Sequence, residues 1–205
     1  MDKVGKNAKL NPAWVAILIV VDQLEKQPYV RPVDKVIFQK ICYIMTEQGV
    51  DTGFNFKQGS YGSFSNEVKE ALNVFANMNL LNEQQLGRMN VLTVGPEYEN
   101  ICKKYEDELK PLKKKIYKTA DLFSRIKSTV QAEEVATVLY AARQIKKDKQ
   151  ADSVTEQDLF DYIVDWKKKW QEEDKKESIA STIRNLEMLD WLRLKYSESL
   201  PALVS

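Results

Sequence analysis

Three sets of residues decide what chemistry this chain can do, and the first is defined by what it lacks. There is no histidine among the 205 residues. That removes Ser-His and Cys-His nucleophile pairs and most zinc sites. Carboxylate and lysine chemistry stays open, but nothing in the sequence points to it. The two cysteines, Cys42 and Cys102, sit far apart and in no metal-type spacing. They read as reduced thiols of a cytosolic protein, with Cys42 a small buried hydrophobe. The glycines form no phosphate-cradling loop. The sequence therefore predicts no catalytic residue, no metal site and no cofactor.

The second set is charged. The formal net charge is only +1, from 31 basic and 30 acidic side chains, so no global excess attracts nucleic acid. Locally the balance breaks twice. From Lys110 to Lys127 lysines dominate and Asp121 is the only acid. Between Asp152 and Asp165 the signs reverse, with Glu156, Asp158 and Asp161 and no base. Asp158, Asp161 and Asp165 recur at helical spacing. Such a row is either a solvated helix face, favoured at a helix N-terminus, or a surface that pairs with a basic cleft, even one built for DNA.

The third set is the stretch KQGSYGSFSNEVK, Lys57 to Lys69. Gly59 and Gly62 flank Tyr61, and Ser63, Phe64 and Ser65 follow. One reading turns the chain into a helix, with the aromatics plugging the core. The other presents a rigid aromatic loop to a partner. The two are compatible. Trp166, Trp170 and Trp191 read as core, since aromatics bury large areas.

Helical elements must position these groups. Residues 1–10 are polar and read as a tail or linker end. Asn11 caps a helix with Pro12 at its first position, and Trp14, Ile17, Leu18, Val21 and Leu24 share a face. The apolar run within it is too short for a bilayer, which needs roughly 20 residues. Asp34 and Gly49 bracket a second helix striped by Ile37, Ile41, Ile44 and Met45. Phe54-Asn55-Phe56 alternates like a short strand. Ser65 or Ser63 caps a third helix with Val68, Leu72 and Phe75 inward. Asn90 to Val94 alternates, and Gly87-Arg88 marks a hairpin turn. Three helices and a two-stranded wing, residues 11–110, read as a winged-helix-like module.

Residues 111–205 read as a helical bundle packed on it. The Lys110–Lys127 run predicts a long amphipathic helix with Leu112, Ile116, Leu122 and Ile126 inward. A helical pattern covers Ala132 to Ile145. Thr155 to Asp158 resembles a capping box, and Leu159, Ile163, Trp166 and Trp170 form a buried seam. A last helix covers Ser178 to Met188. The expected class is mainly α with one small hairpin.

Four stretches carry a family resemblance: FQKICYIMTEQGV from Phe38, SYGSFSNEVK from Ser60, NEQQLGRMNVLTVGPEY from Asn82 and VDWKKKWQEEDKKESIASTIRNLEMLDWL from Val164. In this order they resemble the C-terminal region of macrodomain-containing antitoxins of the DarG type, over about Asn11 to Pro201. Ser63 stands where that family usually has proline, which makes the loop less rigid. The ten residues before Asn11 hold no macrodomain, so the family's de-ADP-ribosylating activity is not carried over, and no enzyme is expected. The resemblance implies a toxin-binding role toward a DarT-like DNA ADP-ribosyltransferase, with a macrodomain supplied in cis or in trans and occupation of the toxin's DNA site as the route. The candidate contacts are Tyr61, Ser63, Phe64, Ser65, Arg88, Asp158, Asp161 and Asp165. The alternative is a DNA-binding winged-helix autoregulator using Lys113, Lys114, Lys115 and Lys118 with Arg88 at the wing. Both readings are cytoplasmic and need no membrane.

Overall fold

The computed structural model describes residues 9–59, 62–149 and 154–195. The chain divides into two compact units, residues 1–57 with 65–129 and residues 58–64 with 130–205.

In the first unit Asn11 starts helix α1 (Pro12–Glu25), its side chain accepting from the Ala13 amide. The sequence places one face of α1 inward, but the helix is buried almost all round, from Val15 to Leu18 and from Val20 to Asp22. A helix apolar on every side must be a central one. It packs against α2 (Lys35–Glu47), α4 (Tyr98–Lys104), α5 (Glu106–Leu109) and α6 (Lys113–Arg125). The sequence division at residue 110 puts α6 with the C-terminal half, whereas its Ile116, Leu122 and Phe123 fill the first unit's core. Its lysine-rich forerunner is broken: a 3-10 turn at Lys110–Leu112 precedes the α-helix.

Asp34 caps α2 through the Val36 and Ile37 amides, and Gly49 closes it at φ +72°. The Phe54–Phe56 run is not a strand. It alternates in burial, but its carbonyl neighbours bond to side chains: Asp51 O accepts from Asn11 Nδ2 and Thr52 O from the Trp14 indole. Phe54 stacks on Trp14 at 5.6 Å, and Phe75 of α3 (Asn66–Asn77) meets Trp14 and Phe38 edge-on.

The strands β1 (Lys57–Gly59) and β2 (Gly62–Phe64), which but for Lys57 belong to the second unit, pair with each other and precede α3 in the chain. The strands β3 (Leu81–Leu86) and β4 (Met89–Val94) form the antiparallel hairpin turning at Gly87-Arg88, with Leu86 opposite Met89. The polar stretch from Asn82 is itself strand, because its partner β4 supplies the apolar half. Leu92 N donates to Val33 O at 2.7 Å, and Lys35 pairs with Glu83 at 2.8 Å, tying the hairpin to the start of α2. At Gly95 the chain passes so close to the Asn79 carbonyl that a Cβ would lie 2.2 Å from its oxygen.

The second unit holds α7 (Thr129–Lys149), α8 (Glu156–Trp166) and α9 (Glu173–Met188), with a parallel bridge between β5 (Val154–Thr155) and β6 (Leu194–Lys195). Leu159 and Ile163 of α8 and Ile179 and Ile183 of α9 are fully buried. The predicted seam stops at Trp166, where α8 ends. Trp170 lies in a separate 3-10 turn (Lys168–Trp170), and both tryptophans are half-buried. Among the described residues no helix is long and apolar enough to cross a membrane.

Candidate interaction surfaces

The acidic row runs the length of α8, from Glu156 to Asp165. Thr155 Oγ1 accepts from the Asp158 amide at 3.0 Å and fixes where the helix starts. Leu159 and Ile163 then take the inner side, which leaves Asp161 and Asp165 exposed and Asp158 half-buried. The row is less negative than its sequence suggests. Lys168, three residues on, pairs with Asp165 and Arg184 holds Glu156 at 3.0 Å, while Gln157 Nε2 donates to Asp161 at 2.8 Å without changing its charge. Asp152 lies outside the described residues.

The aromatic loop leads into α3, with Ser65 at the N-cap position. Tyr61 lies outside the described residues. Ser63 and Ser65 are buried, and Phe64 is 39% exposed. Ser65 occupies the N-cap position of α3 but does not cap with its hydroxyl. Its Oγ donates to Glu67 Oε2 at 2.6 Å, a bond that holds the Glu67 carboxyl below its ordinary pKa. The backbone of Ser65 is clasped instead by Gln39, which accepts from its amide at 3.3 Å and donates to its carbonyl at 2.8 Å. Arg88 is exposed at the hairpin tip. Of the predicted contacts, Ser65 and Arg88 belong to the first unit, and Ser63, Phe64 and the three aspartates to the second.

The lysine run divides its labour. Lys113 and Lys114 are exposed, while Lys115 is half-buried and donates to Gly49 O at 3.0 Å, satisfying a carbonyl at the end of α2.

A buried charge network in the second unit was not read from the sequence. Glu134 of α7, 3% exposed, accepts from Lys175, from Ser178 Oγ at 2.9 Å and from Thr182 Oγ1 at 3.1 Å, all on α9. Its neighbour Glu133 pairs with Lys167 at 3.0 Å. The Lys167 ammonium lies 5.0 Å from the Trp166 ring and 4.9 Å from Trp170, and Lys175 lies 4.4 Å from Trp170. Burial pushes the Lys167 pKa down, against the pull of Glu133. Two adjacent glutamates inside an otherwise apolar α7 pattern, and the run Trp166-Lys-Lys-Lys-Trp170, are the traces it leaves in the sequence. They pair only in three dimensions. The satisfied hydrogen bonds and 6% exposure of Lys167 give the network a structural character.

Among the described residues no group of three or more Cys, Asp or Glu side chains is arranged to hold a metal ion. A scan of known protein families finds none that matches this chain, and no curated protein matches it.

Proposed function

We propose that this chain is a non-catalytic interaction module that binds and neutralises a DNA ADP-ribosyltransferase toxin, with the acidic face of α8 standing in for DNA phosphates. The observation that carries the reading is the pair Asp161 and Asp165, exposed on a helix whose opposite side is anchored by fully buried Leu159 and Ile163; the Lys168 that pairs with Asp165 is itself exposed, so a partner's cation can take its place. Charges held on a packed helix are preorganised, so little ordering opposes association. The four-stretch sequence resemblance supplies the partner class. The test is calorimetric titration into a catalytically inactive DarT-like toxin, followed by a DNA-modification assay with active toxin. Saturable one-to-one binding that blocks modification is expected. Replacing Asp158, Asp161 and Asp165 together by asparagine should slow association about tenfold at low salt and flatten its salt dependence. An unchanged on-rate rejects the mimicry, and no binding by folded protein rejects the antitoxin reading.

A DNA-binding regulator is the second reading. It is favoured by the order of three helices then a hairpin, with Arg88 exposed at its tip and Lys113 and Lys114 exposed on α6. Against it, α3, the helix before the hairpin, exposes Lys69 beside Glu70 and carries Glu67 in its first turn. A mixed face gives little phosphate attraction. A low-salt gel shift with no complex at micromolar protein removes this reading.

A further inference from the structure

The first unit contains a cavity that the acidic-face reading leaves unused. It has a volume of about 150 Å³, is open on one side and lies between α1, α4, α5 and α6. Its walls are mainly apolar: half-buried Ile19, buried Leu109 and Ile116, and the ring of Tyr117, which is 62% exposed at the rim. The exposed side chains of Glu106 and Lys113 also border it, one acid and one base. The opening arises because the chain does not run straight from α4 into α6. It bends at Tyr105, between α4 and α5, and again through the 3-10 turn at Lys110–Leu112.

We infer that this cavity is an anchor site for one apolar, ring-sized side chain of a protein partner, flanked in the partner by one acidic and one basic residue. Size selects the anchor: an apolar protein cavity of about 150 Å³ admits a benzene-sized group. Charge selects the flanks, because Lys113 and Glu106 offer opposite signs at the rim and a like charge against either is repelled. Tyr117 adds an exposed aromatic at the mouth, and tyrosine is among the residue types enriched at interface hot spots once a partner covers them. The inference rests on the chain being an interaction module, but not on the acidic row, which belongs to the other unit.

The test uses the full chain, isotope-labelled for nuclear magnetic resonance. The probes are blocked tripeptides with phenylalanine between lysine and glutamate, in both orders, and the same peptides with glycine in the centre. One phenylalanine peptide should shift the Cys102, Leu109 and Tyr117 resonances saturably and bind about threefold tighter than its reversed order, the effect of exposed ion pairs. The glycine peptides should leave those resonances still. Tyr117→Ala should weaken binding severalfold. Exchanging the rim charges, Glu106→Lys with Lys113→Glu, should reverse the preferred order. All three positions are exposed, so the variants keep the fold. No saturable shift with either phenylalanine peptide overturns the proposal. So do equal shifts from the glycine peptides, or toluene binding where the peptides do not, which marks a small-molecule cavity. None of these outcomes touches toxin association through α8, which is read from its own salt dependence.

Discussion

The two units are stabilised by opposite means. The first has an interior of rings: Trp14, Phe38, Phe54 and Phe75 meet face-on or edge-on within 5.6–6.2 Å. The second places two carboxylates and two ammonium groups between its helices and lays the cations over Trp166 and Trp170. Their sequences differ in the same sense. The first carries 19 Lys and Arg against 15 Asp and Glu, a net +4, and the second 12 against 15, a net −3, which together make the chain's +1. A near-neutral total thus conceals one unit whose aromatic core should be indifferent to pH and salt and another whose interior should respond to both. A ring stack gains from area removed from water, with no dependence on protonation. A buried ion pair sets attraction against the cost of burying two charges, so its contribution depends on the protonation of both partners.

The largest effect should come from Phe75→Ala. Emptying a fully buried ring position costs about 3–5 kcal/mol. Urea unfolding followed through Trp14 fluorescence, with the other tryptophans replaced by phenylalanine, should show that loss unchanged from pH 6 to pH 9. A strongly pH-dependent loss would break the contrast between the units. Glu134→Ala should destabilise the second unit by about 3 kcal/mol, because Lys175, Ser178 and Thr182 lose their common acceptor. Replacing Glu134 and Lys175 together by leucine should recover most of that loss. A double variant as unstable as the single one would show that geometry, rather than the stranded charge, sets the cost.

Lys167 sharpens the comparison through pH. Burial lowers its pKa in the folded protein below the ordinary 10.5. Between the folded and the unfolded value the unfolded chain binds more protons, so stability rises with pH across that window. Below the folded value Lys167 is charged in both states and the full burial cost remains. The stability of the wild type relative to Lys167→Met should therefore climb as pH rises toward 10.5, read from Trp166 and Trp170 fluorescence. A flat difference would mean that Glu133 compensates the burial completely.

What was legible in the sequence is what local chemistry decides. Asn11, Asp34 and Gly49 bracket their helices because a cap needs only its own side chain or backbone angle and the adjacent amides and carbonyls. Gly87-Arg88 makes its hairpin turn for the same reason. The start of α9 was placed at Ser178 rather than Glu173, since its first turn is all charge and shows no apolar period. The central position of α1 and the placement of α6 depend on which faces meet, and periodicity does not specify partners. The acidic row was legible as a helix face. Its neutralisation by Lys168 is a local contact too, three residues on from Asp165, and it was missed because the run was read only as far as Asp165.

The smallest effect separates two serine-type caps that look alike in sequence. Thr155 and Ser65 both stand at the N-cap of a helix in extended backbone. Thr155 accepts from an amide, so Thr155→Ala strands an orphan donor and should cost about 1 kcal/mol. Ser65 gives its hydroxyl to Glu67, and α3 is held at that point by Gln39 on both sides of the Ser65 peptide unit. Ser65→Ala should therefore cost only about 0.5 kcal/mol, while Gln39→Ala, which leaves a buried amide and carbonyl without partners, should cost about 2 kcal/mol. Equal losses for the two cap variants in urea unfolding would mean that the Ser65 hydroxyl does cap α3, and that the helix start is fixed locally rather than by the clasp from α2.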